Sequence, residues 1–166
     1  MKAVWEFASK NWGSIASVLG LIISAMTLLV ARKAKASADA AKREVHRRNR
    51  AEDLQDAHTK SHQVGLFIRD NKWDIVFLRA QEIVTACSMI LRRWNADLSE
   101  TSKGQIVLAR AQAGSIVKVA MRANLAPPGR QEVLNISAAQ RRLNELLSSE
   151  WGESLRAIES SEEKDE

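Results

Sequence analysis

Tyrosine is absent from the chain, cysteine occurs once, proline twice and glycine seven times in 166 residues. The single thiol, Cys87, can form no internal disulfide, which excludes a secreted scaffold held together by bridges. So few prolines and glycines leave little to interrupt a helix. Aromatics at 5% leave few of the residues that favour strands. No segment alternates apolar and polar residues with a period of two, so no sheet is predicted.

Motifs that carry chemistry are missing as well. The chain has no glycine-rich phosphate loop, no nucleophile elbow and no carboxylate pair in an apolar setting. His58 and His62 stand one helical turn apart, but Asp56 and His46 are poor candidates for the further ligands a metal needs. Cys87 falls on an apolar stripe, where a thiol packs as a small inert hydrophobe. The sequence therefore predicts a non-enzymatic protein, with no catalytic residue, cofactor or metal.

What the chain does have is helix formers and one long apolar run. Alanine, leucine, glutamate, arginine and lysine are plentiful, and a hydrophobic content of 45% argues against disorder. Residues 13–31 carry no charge over nineteen positions. As a helix they rise about 28 Å, close to the ~30 Å hydrocarbon core of a bilayer. Trp5, Phe7 and Trp12 precede the run at the place interfacial rings occupy, while Arg32, Lys33 and Lys35 close it abruptly. A cleaved leader is disfavoured by the length of the run and by the cations that follow it at once. A buried core helix is disfavoured because nothing else in the chain could surround it. A transmembrane helix over 13–31 is the expectation, with 1–12 as a short outward amino end.

Charge sets the expected orientation. Residues 32–50 carry a net +6, so the positive-inside rule places everything after the span in the cytoplasm of a single-pass cell-membrane protein. Within the span, Gly13, Ser17, Gly20, Ser24, Thr27 and Ala31 repeat at spacings of 4, 3, 4, 3 and 4. A seam of small side chains lets membrane helices approach closely, which predicts a homo-oligomer. Arg32, Lys33, Lys35, Lys42 and Arg43 are expected against anionic lipid headgroups.

The stretch 32–64 is rich in helix formers but holds only two large aliphatics before residue 64, Val45 and Leu54. It reads as a basic, solvated juxtamembrane stalk ending at Gly65. Three helices are predicted beyond it, over about 72–97, 102–124 and 131–158, forming an antiparallel bundle across 66–158 with an acidic tail at 159–166. Val76, Ala80, Ile83, Cys87, Ile90 and Trp94 mark the inner stripe of the first. Asn71-x-x-Asp74 and Ser102-x-x-Gln105 are the cap signals, and Pro127-Pro128-Gly129 is the stop. The fold class is all-α: one transmembrane helix, a stalk, then a bundle.

Residues 101–130 contain Lys103, Arg110, Lys118, Arg122 and Arg130 and no carboxylate, whereas 150–166 carry a net −5. These two regions either pair within the assembly or leave the first four cations as a surface for an acidic protein partner. Nucleic acid is disfavoured because no aromatic platform accompanies the charges. The leading functional expectation is a membrane-anchored interaction or scaffold protein that self-associates through its span. The alternative is a membrane-perturbing effector or toxin whose spans cluster on a cytoplasmic signal, with Ser14, Ser17, Ser24 and Thr27 lining a narrow wet path.

Overall fold

The computed structural model of the chain describes residues 12–162, with side chains from 17 to 160. Trp5, Phe7 and the last four residues of the acidic tail lie outside the described residues, as do the surroundings of Gly13 and the side chains of Trp12 and Ser14. Four helices follow in order: α1 (Trp12–Arg69), α2 (Trp73–Arg93), α3 (Glu100–Ala123) and α4 (Arg130–Glu162). Among the described residues there is no strand. The chain divides into two compact units, Met1–Glu44 and Val45–Glu166, and α1 contributes to both.

In the first unit the stretch of α1 from 17 to 31 is apolar and exposed. Val18, Leu21, Ile23, Met26 and Val30 all point outward, and an 18-residue stretch of mean hydropathy 1.6 has none of its surface buried. This helix is long and apolar enough to cross a membrane.

The second unit is a four-helix bundle. The solvated stalk expected to reach residue 64 gives way earlier, because Ala51, Leu54, Ala57, Ser61, Val64 and Ile68 are buried at spacings of 3, 3, 4, 3 and 4. The bundle thus takes its first helix from 45–69 and has four helices where three were expected. Half of that stripe, Ala51, Ala57 and Ser61, is small, so its first turns contribute little apolar signal in sequence while still filling a gap between neighbours. Val76, Ala80, Ile83, Cys87, Ile90 and Trp94 form the inner stripe of α2 as expected. Ile106, Ala109, Ala113, Ile116 and Ala120 line α3, and Ile136, Leu143 and Leu147 line α4. Short connections make successive helices antiparallel. The cross-contacts Lys60–Glu82 and Ser61–Gln140 seat α1 beside both α2 and α4.

The helix starts differ from the cap signals, by one residue at α2 and by three at α3. Asn71 does not start α2 but terminates α1. It adopts φ 55°, and the bonds Asn71 N–H to Ile68 O and Lys72 N–H to Phe67 O form a Schellman closure. Asparagine tolerates this left-handed position better than most residues. The cap of α3 is Ser99, whose Oγ accepts from Ser102 N–H at 3.0 Å. At the start of α4, Gly129 N–H donates back to Glu132 Oε2 at 3.2 Å, a capping-box bond that follows Pro127-Pro128. Gly65, expected as a break, lies inside α1.

Candidate functional site

Three groups of residues are the candidates: the apolar helix surface, the cations that follow it, and the faces of the bundle. On α1, Ser17, Gly20, Ser24, Thr27 and Ala31 are exposed and fall within about 80° of arc at 100° per residue. Ser24 Oγ donates to Gly20 O and Thr27 Oγ1 to Ile23 O, each at 2.8 Å. Both hydroxyls are therefore satisfied by their own helix, which leaves this side smooth and free of unmet hydrogen bonds. Arg32, Lys33, Lys35, Lys42 and Arg43 follow directly and are all exposed.

In the bundle, the cations of α3 do not meet the acidic end of α4. Lys103 Nζ pairs with Glu100 at 2.7 Å on its own helix, and Arg122 reaches Glu132 at 3.6 Å. Arg110 and Lys118 are exposed on the same side and have no ion-pair partner among the described residues. Among the described residues no ion pair joins 101–130 to the part of the acidic end whose side chains are described, 150–160. Local carboxylates at i−3 and across the α3–α4 turn are nearer.

The most unusual polar group was not legible as such. Glu150 is 3% exposed, and its Oε1 has no hydrogen-bond partner. Burial pushes its pKa upward; the Ser102 hydroxyl bonded to it and the Arg50 guanidinium oppose that rise, while the neighbouring Glu153 carboxylate adds to it. It borders a cavity of about 240 Å³ with Arg50, Ser99, Ser102, Glu153 and Ser154. Arg50 donates to Asp97 O at 3.1 Å and lies 3.4 Å from Ser154 Oγ. The missed signal is periodicity: counting on from Leu143 and Leu147 in steps of 3 and 4 lands on Glu150 and Ser154.

A second polar clasp joins α1 to the α2–α3 connection. Trp94 Nε1 donates to Asp53 Oδ2 at 2.9 Å, Arg93 approaches the same oxygen at 3.6 Å, and its guanidinium lies 4.8 Å from the Trp94 ring. His58 and His62 stack edge to face at 4.7 Å, with Trp151 5.3 Å from His58. Partial burial, and then the neighbouring His62, lower the pKa of His58. No three metal-ligating side chains cluster among the described residues. Cys87 is wholly buried, and burial pushes its thiol up to about 12, which holds it protonated and unreactive.

Comparison with family models, with curated proteins and with solved structures finds no match. The functional reading therefore stands on the residues themselves.

Proposed function

We propose that this chain is a single-pass membrane-anchored interaction protein without enzymatic activity. Its spans self-associate, and its helical bundle faces a protein partner in the cytoplasm. The observation that carries this reading is the bare apolar surface of α1 ending at Arg32, Lys33 and Lys35. In water such a surface would be an aggregation liability, whereas in lipid it is at rest. The cations beyond it favour the inner leaflet by about 1 kcal/mol each, which supports an outward amino end. Ser17, Gly20, Ser24, Thr27 and Ala31 give a smooth side for helix pairing. The internally satisfied hydroxyls of Ser24 and Thr27 support dry packing over a wet path. The buried, protonated Cys87 supports a binding role over thiol chemistry.

Extraction of membranes with alkaline carbonate tests the anchor. The chain is expected to stay with the pellet and to leave it only with detergent; release into the supernatant refutes the reading. Cysteines placed at Gly20 and Ser24 test self-association, with crosslinked bands expected in native membranes and lost on Gly20→Leu. Overexpression separates the effector alternative, because an interaction protein leaves the membrane potential intact.

A further inference from the structure

The inner stripe of α4 changes character along its length. Ile136, Leu143 and Leu147 fill the core, but the next two positions of the same register are Glu150 and Ser154, 3% and 1% exposed. Beyond them Leu155 is 38% exposed, and Glu153, Arg156, Glu159 and Ser160 lie in the open. The end of α4 is therefore held by buried polar side chains where a bundle helix ordinarily uses leucine.

Glu150 is only partly satisfied there. The Ser102 hydroxyl of α3 bonds to its carboxyl group, and Oε1 has no partner. The charged groups that share its cavity are Arg50 from α1, Asp97 from the α2–α3 connection and Glu153 from α4 itself. From α3 come only Ser99 and Ser102, whose neighbours Glu100 and Lys103 pair with each other at 2.7 Å, and α2 adds no residue to the lining. Arg50 donates to Asp97 O at 3.1 Å, and among the described residues no ion pair within 4 Å joins any cation to Glu150. Burial is the largest influence on the carboxyl group and, with Glu153, disfavours its anion; Ser102 and Arg50 favour the anion without prevailing.

Gly152 follows two residues later. A Cβ there would meet nothing within 4 Å, so no packing demands glycine, and inside a helix only proline weakens the backbone more. From 153 onward the sequence holds six carboxylates against Arg156 and Lys164, and their mutual repulsion works against a fixed end.

We propose that the end of α4 from Glu150 onward is a pH-operated latch, seated while Glu150 is protonated and released when it ionises. A neutral carboxyl group in this corner leaves one weak acceptor unmet. An ionised one leaves a charge in a buried place without a counter-ion, and the nearest way to solvate it is to swing the segment outward at Gly152. The sense is opposite to that of a latch held by salt bridges, which acid opens. Release uncovers Arg50 together with Leu54 and Leu98, which line the same cavity and are buried while the end is seated.

Hydrogen exchange followed by mass spectrometry on the full-length chain in detergent micelles tests this at about pH 4 and about pH 8, with rates corrected for the intrinsic effect of pH on amides. Peptides from 150–160 are expected to exchange about tenfold or more faster at the higher pH, while peptides from 76–90 of α2 keep their protection. Glu150→Gln should hold 150–160 protected at both values, and so should Glu150→Leu, which continues the stripe of Leu143 and Leu147; circular dichroism verifies that each variant folds. Gly152→Ala should slow the exchange of this segment at the higher pH. Equal protection of 150–160 at both values in the unsubstituted chain would overturn the proposal. Equal acceleration of 76–90 would do the same, since it marks loosening of the whole bundle. So would a pH response that survives in either Glu150 variant, which assigns it to another group such as His46, whose ring stands 5.6 Å from that of Trp94.

Discussion

The side-chain amide of Gln140 occupies the space that a Cβ on Gly65 would need, with Nε2 only 2.8 Å from that position. It donates from there to Ser61 O at 3.1 Å, the carbonyl that a regular helix pairs with the Gly65 N–H. Glycine is thus what lets the Gln140 amide reach that carbonyl. The contact is with the tip of a flexible side chain, so an added methyl moves Gln140 and breaks its hydrogen bond without driving the helices apart. Gly65→Ala gains about 1 kcal/mol of helix propensity and loses a hydrogen bond of about the same size. Little net change in stability is expected. In a Gln140→Ala background the same substitution should stabilise by about 1 kcal/mol, and chemical unfolding of the four chains as a double-mutant cycle measures the difference.

The contrast is Gly114, where nothing lies within 4 Å of an added Cβ. Gly114→Ala should stabilise the isolated chain by roughly 0.5–1 kcal/mol, read as a higher thermal midpoint in mild detergent. A loss of stability there would show that the position is already occupied by a contact that the single chain lacks.

Glu150 makes the stability of the bundle depend on pH in an unusual direction. Its pKa is raised in the folded state, chiefly by burial, so the folded chain holds the proton more tightly than the unfolded chain. Stability is then highest below the ordinary carboxylate value of about 4.3 and falls as pH rises through the raised folded value. Glu150→Gln removes that loss. It should stabilise by on the order of 1 kcal/mol at about pH 7, and the gain should vanish at about pH 4, measured by urea unfolding across that range.

The Trp94–Asp53 hydrogen bond at 2.9 Å ties the α2–α3 connection to α1. Trp94→Phe removes the donor and leaves the carboxylate with Arg93 alone, which should cost about 1–2 kcal/mol. Asp53→Asn keeps an acceptor and gives up only the half-exposed attraction to Arg93, so it should cost less than about 1 kcal/mol. Reversal of that order would assign the energy to the ion pair.

Cys87 is wholly buried and its thiol is pushed up to about 12, so thiolate is scarce at neutral pH. A maleimide should leave the native chain unlabelled at about pH 8 and modify it stoichiometrically in denaturant, followed by mass spectrometry. Rapid native labelling would show that α2 opens readily.

By itself the sequence determined what depends on neighbours along the chain. The all-helical class, the apolar helix closed by Arg32 and Lys33, and the inner stripe from Val76 to Trp94 all follow from local composition and the 3.6-residue period, which each segment carries alone. The tertiary structure decided what depends on the residue standing opposite. Ala51, Ala57 and Ser61 became core because α2 and α4 press on them, although their small side chains look like those of a solvated stalk. Glu150 shares a register with Leu143 and Leu147, and its burial beside Ser102 and Arg50 appears only once α4 lies against α1 and α3. Asn71 and Ser102 are good cap residues, but the helices end where the backbone closes on its last free carbonyls and amides. Burial is a property of pairs of surfaces, and one helix specifies only its own half.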